Sequence, residues 1–384
     1  MSQKRLHLCT QMCAIVLATD RENDDATLMT ADVHYMKNET QLAIVHFMQL
    51  LTRNPNHYHA LARVVDLSWR MGEIDQAERH LALALEANPR ASIDAGYNYC
   101  RGLNEWLSAD INGALVSFNR ARRDSEWGEK AIYKLIEICL NPENEIVGGE
   151  VLESSEGTDA AERAIGTKTA QTFLEELRSK HESEPKYEDT KNLISIQSNN
   201  KNEITSALNY FLERHSEDKV EPTNIGAILG IAQAYQLLKD PTKAKLYLKK
   251  TISLAWSLED ADNLEKCWLL LADSYINRNK AEEAMKMLNM VAEKNKSCLK
   301  VFEYQGHLKE KDGKWLDAAM QYQKAWDISK GRTPAIGYKL AYNYYKAKQL
   351  FACIETCHNV LARFPTYPKI KKDIMDKARN ALRT

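Results

Sequence analysis

The sequence lacks long apolar runs. The longest, such as Cys13 to Ala18 and Cys267 to Ala272, run for only six residues, well short of the ~20 apolar residues that a membrane-spanning helix requires. Neither sign of charge dominates. The 52 Lys and Arg residues stand against 53 Asp and Glu, a net charge of -1. General nucleic-acid binders and membrane-surface proteins carry a basic excess, so this balance argues against both. Eight cysteines are scattered without a dense framework, which suits a reducing compartment rather than a disulfide scaffold. In that setting the sequons Asn38-Glu39-Thr40 and Asn295-Lys296-Ser297 carry no meaning. The N-terminus only mimics a signal peptide. Lys4-Arg5 precedes the apolar stretch, but Thr10-Gln11 interrupts it and no small-residue cleavage site precedes Asp20, so it reads as an amphipathic helix. There is no GxxxxGK[ST], HExxH or GxSxG motif, and Gly148-Gly149 is an isolated pair among acidic residues.

What is present is a repeat. Asn54-Pro55 recurs 34 residues later as Asn88-Pro89, and Ala43, Phe47 and Leu50 recur as Ala77, Leu81 and Ala84. A small residue, a large apolar residue and a second small or apolar residue, spaced four then three and closed by Pro, form the tetratricopeptide (TPR) pattern. Each unit is a pair of antiparallel helices. A small residue on helix A lets its neighbour approach, and Pro after helix B stops the helix.

The pattern sets the expected organisation. Residues 5–20 have helix-B character without a helix A, and the segment 2–20 serves either as an unpaired half-repeat or as a capping helix. An open half-unit would imply that the chain is a fragment or short form of a longer array. Residues 24–140 hold repeats at 24–57, 58–91 and 95–128, then a helix A containing Ala131, Leu135 and Ile136. Residues 141–168, rich in Glu and Gly, read as an acidic flexible insert of about 22 residues beyond the repeat length. Helix B resumes at 169 with Ala170, Leu174 and Leu177, and irregular TPR helices run to 224 through Leu193, Ile194, Ala207 and Phe211. Residues 225–367 contain repeats at 225–258, 265–298, 299–332 and 334–367, and 368–384 form a polar C-terminal capping helix with Ile370, Ile374 and Ala378 on one side. The expected fold is all-α, a TPR α-solenoid of about nine helix pairs in a right-handed superhelix.

Few residues suggest chemistry. Cys353 and Cys357 share a helix face beside His358, but they occupy the positions of the small and large packing residues, and no second pair lies at zinc spacing. Cys9 and Cys13 read the same way. Ten histidines form no cluster, and carboxylate pairs such as Glu282-Glu283 lie on helix faces. The chain therefore reads as non-catalytic, with no catalytic, cofactor-binding or metal site.

Binding is the usual work of such arrays, through the inner surface lined by helix A. Tyr338, Tyr342 and Tyr345 form a stripe distinct from the packing face of Leu340, Ala341 and Tyr344. Tyrosine supplies large contact area at low entropic cost. This stripe is the candidate partner-binding face; the competing reading is that the capping helix covers it. The Lys and Asn clamp for a chaperone carboxylate is absent, since the corresponding inner positions hold Ala62, Asp66, Leu269 and Asp273. Mixed charge along Lys300, Glu303, His307, Glu310 and Lys311 points to a folded protein partner rather than a peptide tail.

The segment Trp268-Leu-Leu-Leu-Ala-Asp-Ser-Tyr275 and the closing Phe364-Pro-Thr-Tyr-Pro-Lys-Ile-Lys-Lys-Asp-Ile-Met-Asp-Lys-Ala-Arg379 resemble the C-terminal end of the tetratricopeptide repeat protein 21 family. The opening Leu17-Ala-Thr-Asp-Arg-Glu-Asn-Asp-Asp-Ala-Thr-Leu-Met-Thr-Ala-Asp32 and the acidic stretch after Asn141-Pro142 resemble it too. That family is the large TPR subunit of intraflagellar transport complex A. The resemblance implies a scaffold for retrograde ciliary transport, held by WD-repeat and other TPR subunits of the complex, with ciliary cargo among its partners. It implies a cytoplasmic protein at the cilium, axoneme and basal body, with no nucleic acid and no direct membrane insertion. The alternative is a generic TPR adaptor that binds peptide or protein clients outside the cilium, through its inner groove.

Overall fold

The computed structural model describes residues 3–141, 160–182, 184–198, 200–217, 224–367 and 370–383. The described residues form helices without a strand. In chain order these are α1 (Gln3–Thr19), α2 (Asp24–Met36), α3 (Thr40–Arg53), α4 (Tyr58–Met71), α5 (Ile74–Ala87), α6 (Ala95–Leu107), α7 (Ile111–Ala121), α8 (Gly128–Leu140), α9 (Ala160–His181) and α10 (Pro185–Ile196). They continue as α11 (Lys201–Glu217), α12 (Ile225–Leu237), α13 (Pro241–Lys250), α14 (Ala261–Ile276), α15 (Ala281–Lys294), α16 (Leu299–Lys311), α17 (Trp315–Ile328), α18 (Pro334–Lys346) and α19 (Leu350–Arg363). A π-helical turn, Lys371–Met375, leads into α20 (Asp376–Arg383). From α2 to α19 they pair consecutively, each pair packing on the next, so the fold is a TPR α-solenoid.

The expected packing register is the one found. Ala43, Phe47 and Leu50, Ala114, Phe118 and Ala121, Ala284, Leu288 and Val291, and Ala318, Tyr322 and Ala325 are all fully buried. Cys353 and Cys357 take the same places in α19 and are equally buried. Side-chain caps start several helices: the Asn23, Asp110 and Asn224 side chains accept from Ala26, Gly113 and Ala227 N–H groups. The turn from helix A to helix B repeatedly passes through the left-handed region. Gly72 and Gly313 do so as expected of glycine, but Asn38, Ala109, Lys239, Asn279 and Lys348 do so as well. In these repeats the packing of the two helices determines the turn, and the turn residue adapts.

Two boundaries differ from expectation. Of the acidic insert 141–168, residues 142–159 lie outside the described residues, but 160–168 are helical: α9 begins at Ala160, not at 169. Gly166, read as a loop glycine, sits inside α9, and a Cβ there would lie 2.4 Å from the Cys139 carbonyl oxygen. Its role is to let α9 lie directly on the end of α8. Within the irregular span 169–224 the next pair starts with Pro185 in the first turn of α10, as Pro without an N–H is favoured there. The repeat expected at 225–258 ends its helix B at Lys250, passes through a 3-10 turn over Thr251–Ser253, and α14 starts early at Ala261. The reason is tertiary. Leu258 is buried in the core of the first repeats, beside Tyr35 and Leu61.

That insertion is one of a series of contacts by which the array curls back on itself. The Tyr35 hydroxyl donates to the Leu258 carbonyl at 3.3 Å. The Asn38 side chain accepts from the Leu258 N–H at 2.8 Å and donates to the Trp256 carbonyl at 3.2 Å. Further along, Ile328, Leu299 and Phe302 pack with Val65, Trp69 and Ala77. Arg332 reaches the Ser108 carbonyl at 3.0 Å and the Asp110 carboxylate at 3.2 Å. The inner surface of the first half is thus closed by the second half.

Candidate functional site

Two regions bear on function: the interior, where the halves meet, and the end face carrying the tyrosine stripe. In the interior, the last turn of α4 presents Arg70, only 6% exposed, toward the start of α14. Its guanidinium meets Glu265 at 2.5 Å, the Asp262 carboxylate, and Asp66 one helical turn earlier at 3.3 Å. Asn295 donates to the second Glu265 oxygen at 3.0 Å, and the Lys296 N–H donates to the Arg70 carbonyl at 2.9 Å. A buried ion is tolerated only when it is paired and hydrogen-bonded; here one arginine receives three carboxylates from two helices. Burial pushes the Glu265 and Asp66 carboxyls up, and Arg70 opposes the shift.

A second link lies beside it. Glu137 of α8 accepts from Lys134 at 2.9 Å and from Lys266 of α14 at 2.6 Å. Burial works against its ionisation, but the two lysines outweigh burial and hold the carboxyl well below the usual range. A carboxyl with a depressed pKa stabilises the folded state above its unfolded value, about 4.3, and loses that contribution as the pH falls below it. Protection against hydrogen exchange at the junction of α8 with α14, relative to the intrinsic rate at each pH, should therefore fall below about pH 4. Lys266→Gln should weaken that acid dependence; an unaltered acid profile in the variant would remove Glu137 from the account.

The inner positions expected to face a partner are taken up within the array. Asp273 and Leu269 are buried. Glu303 is buried and pairs with Lys300 at 2.9 Å. Glu310 receives Lys339 at 3.4 Å, the Tyr322 hydroxyl at 3.1 Å and the Asn343 amide at 3.3 Å. His307 is half-buried, and burial together with Lys311 lowers its pKa to about 4. The mixed charge read as a partner surface thus serves largely to join neighbouring helices. Asp66 and Glu265 were invisible as a pair, because charges on separate helices carry no signal of a shared partner.

The tyrosine stripe divides. Tyr338 sets its ring edge-on to Tyr367, 6.3 Å away, in the lead-in to the last helix. Tyr342 stands edge-on to Trp315 at 6.4 Å, with the Lys346 ammonium 5.4 Å from its ring centre. Tyr345 is half-buried against the same core. The last helix packs mainly on α19 through Ile370, Ile374 and Ala378, so Tyr342 and Tyr345 keep part of their surface in solvent. Trp315, which sequence reasoning did not single out, joins Tyr342; its only signal was an aromatic residue at the first position of a helix B.

Among the described residues, the only group placed to hold a metal is Glu129, His181 and Glu184. His181 already pairs with Glu184 at 2.8 Å, and Lys186 lies 3.8 Å from Glu129, which fits an ion-pair cluster. No helix among the described residues is long and apolar enough to cross a membrane.

Residues 169–379 match the family model described as the tetratricopeptide repeat protein 21 C-terminal ARM domain. The chain belongs to the tetratricopeptide repeat protein 21 family. Residues 24–140 match a second model of that family, the TT21 fifth ARM repeats domain. The two matched segments flank the acidic stretch. The chain is 44% identical over 380 residues to a tetratricopeptide repeat protein 21 homolog of Caenorhabditis elegans, covering 98% of this chain and 29% of that protein. Human tetratricopeptide repeat protein 21B is 41% identical over 382 residues, with the same coverage of 98% and 29%. The chain thus spans under a third of the length of these relatives. Among solved structures, a tetratricopeptide repeat protein from Parabacteroides merdae aligns with a TM-score of 0.48 at 11% identity, covering 74% of this chain and 98% of that one.

Proposed function

We propose that this member of the family is a non-catalytic scaffold within intraflagellar transport complex A, acting in retrograde ciliary transport and the trafficking of ciliary proteins. The observation that carries the reading is the family relationship across 98% of the chain, which includes both repeat blocks. Its partners would be the WD-repeat and TPR subunits of that complex and ciliary cargo, and its place the cytoplasm, axoneme and basal body. The self-closed interior favours this over a peptide adaptor: the inner positions such an adaptor would use, Asp273 and Glu303, are buried by the chain itself. Partners would then be met on outer and end surfaces, for which Tyr338, Tyr342 and Tyr345 are the leading candidates, with Trp315 beside them.

The test is affinity purification of the tagged chain from ciliated cells, read by mass spectrometry. The other complex A subunits should be recovered. Changing all three tyrosines to Ala should cut that recovery at least tenfold. Recovery unaffected by the triple change would move the contact elsewhere, and a failure to recover any complex A subunit would overturn the ciliary reading.

A further inference from the structure

The outer face of α13 carries a basic groove. Ala244 and Leu248 point into the core at 2% and 0% exposure. The helix therefore presents Thr242, Lys245, Leu246 and Lys249 outward, at the spacing of successive turns on one face. Arg278, from the turn between α14 and α15, closes the other side, and Lys243 completes a groove of about 330 Å³. The groove is neither a plain lysine fringe nor neutralised. Lys243 pairs with Asp240 at 3.2 Å and Lys280 with Glu283 at 3.5 Å, both at the margins. Among the described residues, no carboxylate makes an ion pair with Lys245, Lys249 or Arg278. Lys245 is held with its ammonium 4.1 Å from the Tyr275 ring centre. Burial, then Arg278, Lys249 and Lys280, depress its pKa, as expected of a cation among like charges. Leu246, 62% exposed, lines the groove as an apolar contact among the cations.

We propose that this groove binds an acidic peptide segment of a partner protein, its carboxylates on Lys245, Lys249 and Arg278 and an apolar side chain on Leu246. The shape favours a peptide over an anionic membrane. A bilayer needs a broad basic face, whereas here the Asp240 and Glu283 carboxylates pair with the adjacent Lys243 and Lys280 and the whole chain carries a net charge of -1. A shallow groove in which an exposed leucine stands among cations instead suits an extended chain carrying alternating acidic and apolar side chains. The groove lies on the outer surface, so the closed interior does not obstruct it, and the proposal does not depend on the ciliary reading.

The test uses the purified full chain and a fluorescein-labelled peptide with Glu residues flanking a Leu pair, followed by fluorescence anisotropy. Binding should weaken at least tenfold in the variant K245E/K249E/R278E and again as salt is raised, since exposed charges are screened. Because Lys245 rests on Tyr275, K249E/R278E is measured beside it, with helical circular dichroism as the control for folding. Leu246→Ala should weaken binding with little change in its salt dependence. Equal binding of the same peptide with Gln in place of Glu would overturn the proposal, as would unaltered binding by a folded K249E/R278E variant. So would sedimentation with phosphatidylserine vesicles that these changes abolish, in a chain that ignores the peptide.

Discussion

Arg70→Ala is expected to release the second half of the array from the first. The substitution removes one cation from a nearly buried site and leaves Glu265, 6% exposed, without its partner. Removing one member of a buried pair costs about 3–5 kcal/mol, most of it the penalty of the charge left behind. An exposed link between the halves such as Lys330 with Glu78 contributes only about 0–1 kcal/mol, so Lys330→Ala is the natural comparison. Hydrogen exchange should rise together in α4 and in the first turns of α14, segments separated by about two hundred residues of chain but joined through this arginine. Pairing Arg70→Met with Glu265→Gln should recover part of the loss, because Glu265, the least exposed of the three carboxylates, no longer carries an unpaired charge. Faster exchange confined to α4 would show that Arg70 braces its own helix and does not latch the halves.

Gly306→Leu is expected to open a seam. A Cβ added at Gly306 lies 3.0 Å from the ring of Tyr322, tighter than ordinary contact, and that ring is fully buried. The ring cannot turn away freely, since its hydroxyl donates to Glu310. Overpacking of this kind costs about 1–3 kcal/mol, sometimes more. In a repeat array each unit packs mainly on its neighbours, so the loss should concentrate at α16 and α17 and spread to α15 and α18, leaving α10 and α11 protected. Gly306→Ala should be milder. A melting midpoint unaffected by the leucine would refute the packing register; uniform loss of protection, α10 and α11 included, would mean that closure makes the array one cooperative unit.

The tertiary closure explains why the readings of residues 251–260 and of the inner charges went astray. The segment after Lys250 keeps a repeat-like sequence, but Leu258 gains more by entering the core of the first repeats than by continuing the register. Glycine misleads for a related reason: composition puts Gly166 in a loop, although a single glycine in a helix costs only about 1 kcal/mol, which close approach to α8 offsets. The tyrosine stripe was legible as a face of α18, but its division between Tyr367 and Trp315 was not, since both partners lie on other elements.

By itself the sequence determined the repeat, its register and the residues that fill each seam. Those interactions join helices adjacent in the chain, and a contact repeated between neighbours leaves a period that can be read. Only the tertiary structure decided that the array closes on itself, that Arg70, Asp262 and Glu265 share one site, and that the inner surface is occupied. Contacts between residues some two hundred positions apart occur once, leave no period, and are made by charged side chains that on any single helix look like ordinary surface residues.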